Sequence, residues 1–346
     1  MSFTVADGRK LQLTRAHRRV PSVKRTEYLF DFLEVVRNGY SRETVEAKLA
    51  ERKRFFEIEK ARALGRGRPF TSSLKKASGL VRFCQEMSRH TGLAELSNGS
   101  YGLTKKGERL LQMASQGRET DALILKSLLE VYPPFLETMT AIDSVNSDEV
   151  LLPLTRSKET FSKATMPYNI LVDLWGFAIV RDLCSQLGVL NWFPEILDGL
   201  RVQRVFTTCT IQEVARTLGA HEDDTFPIVI ASYSGSNVVI NRNEADADRF
   251  REVLWAEYLT TTNYVPRKPV FYSNLRSRVC HALRISDKQF DRLTRAMMEK
   301  DEKYLLIAAG GSLPFSRDSA GMLKSLPPQT TRGEYIVYLK MDERSQ

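Results

Sequence analysis

Arg66 and Arg68 flank one glycine in the string Gly65-Arg66-Gly67-Arg68-Pro69, a spacing that suits a particular chemistry. Two guanidinium groups on a short extended segment can lie along a narrow A·T-rich minor groove, where negative potential is concentrated. A plain glycine-rich loop is the other reading of the same residues. Just beyond, Ala77, Leu80, Val81, Cys84 and Met87 recur at helical spacing, while Lys75, Lys76, Arg82 and Arg89 fall on other faces. That pattern predicts a helix with an apolar inner stripe and a basic outside. A second set of cations lies near the C-terminus, where Ser286-Asp287-Lys288-Gln289 reads as a capping box opening a helix. Phe290, Leu293 and Met297 form its core stripe, leaving Lys288, Arg292 and Arg295 on the opposite face, placed to approach base edges.

These side chains need elements to position them. Gly92 ends the first basic helix, Leu93 to Leu96 alternates as a strand, Asn98-Gly99 is a two-residue hairpin signal, and Tyr101 to Leu103 returns. Thr104 then caps a helix that begins with Lys105 and Lys106. A helix before a tight basic hairpin is how a winged-helix module presents one element to the major groove and another to flanking phosphates. Upstream, the helix from Tyr28 to Val36 stops at Gly39, and Ser41 caps a second helix carrying Val45 and Leu49. Residues 25–117 thus form a first module.

The theme recurs. Leu171 to Leu187 predicts a helix apolar on nearly every side, followed by strand-like residues from Gly188 to Phe193, a break at Asp198-Gly199 and a strand from Val202 to Thr208. Such a helix is buried scaffolding rather than a groove reader, so the second module (166–222) is expected to be structural. A third module (266–346) has a helix from Tyr272 to Leu283, the helix opened by Ser286, and strands Tyr304–Ala309 and Glu334–Met341. The long insert between those strands forms an extended wing with Arg317, Lys324 and Arg332. Residues 1–24 read as a flexible basic arm, 118–165 as a helical connector and loop, and 223–265 as a connector with a β-rich run and a charged helix. The fold class expected is α+β, predominantly helical, with three tandem winged-helix modules.

With 346 residues, 42% of them hydrophobic, the chain can bury two or three ordinary cores. Lys and Arg outnumber Asp and Glu by 51 to 42, a net charge of +9, the sign expected of a protein that neutralises phosphates. The sequence has no run of apolar residues long enough to span a membrane, and MSFTVADGRK lacks the apolar core of a signal peptide. A cytoplasmic location follows as the expectation. Cys84, Cys184, Cys209 and Cys280 form no CxxC pair, which points to buried reduced thiols rather than disulfides or a zinc site.

Catalytic constellations are thin. His17, His90, His221 and His281 have no pairing at metal-ligand spacing, and the acidic run His221-Glu222-Asp223-Asp224 reads more simply as a loop of solvated charge. No GxxxxGK[ST], GxGxxG or GxSxG string occurs. Glu46-Ala47-Lys48 and Asp301-Glu302-Lys303 match only the short half of a metal-dependent nuclease motif. Neither enzyme activity nor a cofactor is expected.

The string Arg66-Gly67-Arg68-Pro69 resembles the core of an AT-hook, although Ala63 and Leu64 precede it and Phe70 follows it where basic residues are usual. At larger scale, the run Gly92 to Leu111, the Tyr132-Pro133-Pro134 ending of the next helix and the Val265-Pro266-Arg267-Lys268 entry to the third module resemble the DNA-recognition region of type IIS restriction endonucleases of the FokI kind. The resemblance implies successive winged-helix subdomains and recognition of double-stranded DNA, on behalf of a partner in a restriction or antiviral defence assembly. The separate nuclease domain of that family is not expected, because the chain stops at Gln346 after the third wing. The alternative is a protein-interaction scaffold whose winged helices bind an ATPase or nuclease.

Overall fold

Phe3 and Leu11 stand opposite one another across the first hairpin, in which β1 (Ser2–Thr4) pairs antiparallel with β2 (Lys10–Gln12). The computed structural model describes residues 2–4, 10–12, 27–52, 91–131, 139, 150–153, 181, 183–197, 200–214, 228–233, 236–299, 304–309 and 335–342. Part of the segment expected to be a flexible arm is therefore paired.

The N-terminal unit follows the sequence expectation where it is described. Helix α1 (Glu27–Val36) buries Leu29, Phe32, Leu33 and Val36, a stripe at helical spacing. Helix α2 (Arg42–Ala50) is capped by Ser41, whose hydroxyl accepts from the Thr44 N–H at 3.4 Å. Strands β3 (Ala94–Ser97) and β4 (Ser100–Leu103) form a hairpin whose turn residues Asn98 and Gly99 both have positive φ, 50° and 78°, as a type I′ turn requires. An isolated antiparallel bridge joins Ser41 to Ser100, so the residue that opens α2 lies beside β4. Tyr101 on β4 meets Phe32 edge to face at 5.7 Å, closing the core between helices and hairpin. The helix predicted across residues 74–91 lies outside the described residues except for its last position, Thr91, which is helical.

Helix α3 (Lys105–Ser115) begins under the hairpin, and helix α4 (Asp121–Val131) then packs on a strand much later in the chain. Strand β5 (Val150–Pro153) lies in a stretch expected to be a linker. It pairs with β7 (Leu200–Thr207), which also pairs with β6 (Leu190–Leu197), giving a three-stranded antiparallel sheet in the order β5-β7-β6. A four-residue apolar run whose partner lies some fifty residues away gives no local signal that separates strand from linker. The helical stretch ending at Gln186 is buried along its described residues, as expected of scaffolding.

Residues 228–233 and 236–242 of the expected connector join the end of the expected second module in another sheet. Strand β8 (Cys209–Val214) lies at one edge, β9 (Ile228–Tyr233) at the other and β10 (Ser236–Arg242) between them, with α4 against β9. Helix α5 (Ala247–Thr262), the charged helix of that connector, belongs to the C-terminal core. Its Phe250, Leu254 and Tyr258 recur at intervals of four and bury against Tyr272, Leu275, Val279 and Phe290.

The C-terminal unit continues with the two-residue strand β11 (Val270–Phe271), α6 (Tyr272–Leu283), α7 (Asp287–Met298), β12 (Tyr304–Ala309) and β13 (Tyr335–Met341). The sheet order is β11-β13-β12, so the short strand lies beside the last one. Arg284, left-handed at φ 53°, turns the chain between α6 and α7 and stacks its guanidinium over Phe206 of β7. Phe206 is itself part of this core, so the β5-β7-β6 sheet (the middle sheet) and the C-terminal helices are fused rather than strung together. Among the described residues the architecture is α+β, helices mixed with small antiparallel sheets, with more strand than the sequence alone suggests. No helix among the described residues is long and apolar enough to cross a membrane.

Candidate nucleic-acid interface

Thr104 places the first candidate cations. Its hydroxyl accepts from the Gly107 N–H at 3.2 Å and donates to the Gly92 carbonyl at 2.6 Å, tying α3 to the residue that precedes the hairpin. A Cβ at Gly107 would come within 2.0 Å of the Leu93 carbonyl oxygen, so only glycine permits this approach. Lys105 is exposed at the first turn and Lys106 is half-buried. The hairpin itself carries Glu95 and no cation, so the basic character expected of the wing resides in the helix behind it. Arg66, Arg68, Lys75, Lys76 and Arg82 lie outside the described residues, as do Arg317, Lys324 and Arg332.

Helix α7 presents Lys288, Arg292 and Arg295 on its exposed face, as the spacing predicted. The structure also gives two of them acidic neighbours. Lys288 pairs with Asp121 at the start of α4, and Arg292 approaches Glu244 at 3.6 Å. Apart from Lys288, the first turn of α7 is buried: Ser286 accepts from the Gln289 N–H at 3.2 Å, and Asn191 of β6 donates both to the Ile285 carbonyl at 3.1 Å and to Asp287 at 3.0 Å. Gln289 does not close the capping box. With its amide turned so that both ends are satisfied, it donates to the Asn243 carbonyl and accepts from the Ala245 N–H, fastening α7 to the loop before α5. In helix-turn-helix proteins the N-terminal residues of the recognition helix reach base edges, and here that turn faces the middle sheet.

Two polar groups of consequence have no counterpart in the sequence expectation. Arg276 on α6 is 2% exposed and is held by Asp291 at 3.2 Å and Asp287 at 3.7 Å, while the Tyr272 hydroxyl donates to Asp291 at 2.8 Å. Burial alone would lower the Arg276 pKa, but the two carboxylates outweigh it and hold the guanidinium charged. The available signal was its position, four residues after Tyr272 and four before Cys280 on the buried stripe of α6. Arg242, at the end of β10, is mostly buried and reaches Glu119 at 3.4 Å and the Leu187 carbonyl at 3.4 Å. Burial lowers its pKa to about 10, opposed by Glu119, Asp121 and Glu244, so it remains a cation at neutral pH.

The histidine beside Cys280 is structural. His281 lies edge-on to Phe193 and Phe206 at 5.6 and 5.3 Å, and burial together with Arg284 and Arg204 pushes its pKa down to about 4. Cys184, Cys209 and Cys280 are buried and outside any disulfide, the Cys209 thiol donating to the Val189 carbonyl and the Cys280 thiol to the Ser286 carbonyl. Among the described residues no group of three or more His, Cys, Asp or Glu side chains is arranged to hold a metal ion. Comparison with protein-family models, with curated proteins and with solved structures finds no match to this chain.

Proposed function

We propose that the chain is a double-stranded DNA-binding protein without a catalytic centre of its own, built from tandem winged-helix modules. The observation that carries this reading is a repeated connectivity. In the C-terminal unit the order is helix, short strand, helix, helix, strand, strand, with the short strand beside the last. The N-terminal unit has the same first helix, the Ser41 bridge, a second helix and a terminal hairpin, with the bridge again beside the last strand. That order is the one in which a winged helix offers its third helix and its wing to a duplex. The net charge of +9 and the exposed Lys105, Arg292 and Arg295 supply cations of the right sign. The middle sheet, fused to the C-terminal core through Phe206, serves as the rigid spacer.

A second reading has its own support. Lys288 and Arg292 already have carboxylate neighbours and the first turn of α7 is otherwise buried, which fits a scaffold that docks a protein partner such as an ATPase or nuclease of a restriction or defence complex. A salt titration of duplex binding separates the two. If about five to eight phosphates are neutralised, log K falls against log salt with a slope of about −4.5 to −7. Binding that stays weaker than about 10⁻⁴ M at low salt rejects the DNA reading and favours the scaffold.

A further inference from the structure

Three cations and three carboxylates from distant parts of the chain meet at one place. Arg242 ends β10, Lys288 and Arg292 lie one turn apart on α7, Glu119 and Asp121 open α4, and Glu244 sits in the loop before α5. The pairs are Arg242 with Glu119 at 3.4 Å, Lys288 with Asp121, and Arg292 with Glu244 at 3.6 Å. We propose that Arg242, Lys288 and Arg292 form a binding site for the phosphate backbone of duplex DNA, covered in this conformation by the carboxylates of Glu119, Asp121 and Glu244. This rests on the DNA-binding reading and deepens it by naming where a phosphate contact is made and what must leave first.

The two sides of the cluster are held differently, which makes exchange of partners possible. The Lys288 side chain is 48% exposed and Arg292 is 65% exposed, so both ammonium and guanidinium can meet a ligand from solvent. Asp121 is fixed by the fold at 5% exposure, and Glu119 accepts from the Asp121 N–H at 2.8 Å, as a residue does at a helix start. Arg242 is preset from behind: it donates to the Leu187 carbonyl and packs against Gly188, where a Cβ would lie 3.0 Å from its guanidinium. A preset cation costs little reorganisation when an anion arrives. Of the three pairs only Arg292 with Glu244 is exposed on both sides and so weak. Arg242 at 11% exposure and Asp121 at 5% stay in place, and their pairs open by movement of the exposed partners Glu119 and Lys288. A duplex can drive this exchange because it offers many phosphates and releases condensed counterions on binding. The carboxylates then act as a threshold that a single small anion does not cross.

The test uses the full chain and a fluorescently labelled mixed-sequence duplex, followed by anisotropy at about 0.1 M salt. The double variant Glu119→Gln/Asp121→Asn is expected to bind roughly fivefold or more tightly than the parent, with a salt slope steeper by about one to two. Adding Arg242→Gln or Lys288→Gln to that variant removes the gain. Equal or weaker binding by the double variant, with its melting curve preserved, overturns the proposal and leaves the cluster as a fastening between α4 and α7. Should the double variant fail to fold, Glu119→Gln alone, at the more exposed acid, carries the same test with a gain of about twofold. A parent that binds and a variant that gains nothing rejects this site alone. No duplex binding by any of the proteins rejects the DNA reading and this site with it.

Discussion

The N-terminal and C-terminal units agree in the order of the elements described in both, two helices and a closing strand pair, but hold themselves together by different means. In the first, the packing among Leu29, Phe32, Leu33, Val45, Leu49 and Tyr101 is apolar, Arg42 pairs with Glu46 and Arg52 with Glu34 at the surface, and the buried charged side chain among the described residues is a carboxylate, Asp31 of α1. In the second, an ion-pair cluster is built into the core between two helices: Arg276 bridges α6 to two carboxylates of α7, and Asn191 of the middle sheet completes the coordination of Asp287. The first unit is a module in the sense of carrying its own core, whereas the second is defined jointly with the sheet beside it. Similar connectivity therefore leaves open which faces are available for a ligand, and the cations of α7 must be counted against the acids that face them.

The largest expected effect comes from breaking the buried pairings. Arg276→Ala leaves Asp287 and Asp291 without their cation, and loss of one partner from a buried ion pair costs about 3–5 kcal/mol. Urea denaturation followed by tryptophan fluorescence should register this loss in the C-terminal unit, while amide exchange in α1 and α2 stays as in the parent. Equal loss of protection in α1 and α2 would mean that the units unfold as one, and the contrast between them would fail.

A smaller effect separates the units by pH. His281 is neutral in the folded protein at ordinary pH because its pKa lies near 4, below the usual value of 6.5. Between these values His281 binds more protons in the unfolded chain than in the folded one, so its contribution to stability is complete above pH 6.5 and falls as the pH drops toward 4. The ring is partly exposed, which reduces the effect to about 1–2 kcal/mol. Asp291, raised by burial to about 6, contributes with the opposite sign over the same window, so the His281 contribution is read as the difference between the parent and His281→Gln in thermal melts from pH 7 to pH 4. Equal slopes in the two proteins would remove His281 as a source.

Local chemistry was legible in the sequence wherever one element decides it. Ser41, Thr104 and Ser286 cap helices where their types and spacing placed them, and Asn98-Gly99 makes its turn. The helix Tyr272–Leu283 and the strand Tyr304–Ala309 match the expected bounds. Whatever depends on a distant partner was not legible. Strand β5 is defined by β7, β11 by β13, and the role of α5 in the C-terminal core by helices that follow it. The candidate site divides in the same way: periodicity put Lys288, Arg292 and Arg295 on one face, but nothing near them in the chain announces Glu119 and Asp121. Arg242 was missed because a cation at a strand end looks like solvated charge until the fold buries it.

The finest contrast lies at the starts of the second helices. Helix α2 has the Ser41 hydroxyl as its cap, whereas α6 begins after Phe271, which offers no side-chain hydrogen bond and instead packs its ring on Tyr338 at 4.8 Å. Ser41 is exposed and its bond is long, so water can replace much of what Ser41→Ala removes, and a cost of about 0.5–1 kcal/mol is expected. Phe271→Ser supplies a cap worth about 1 kcal/mol but removes an aromatic pair worth about 0.5–1.5 kcal/mol, leaving a net change within about 0.5 kcal/mol of zero. Chemical denaturation of both variants measures the two quantities directly. A clear stabilisation by Phe271→Ser would show that the exposed ring contributes little to folding; a loss above about 1 kcal/mol would show that the Phe271–Tyr338 pair holds β11 in register against β13, the short strand on which the likeness between the two units depends.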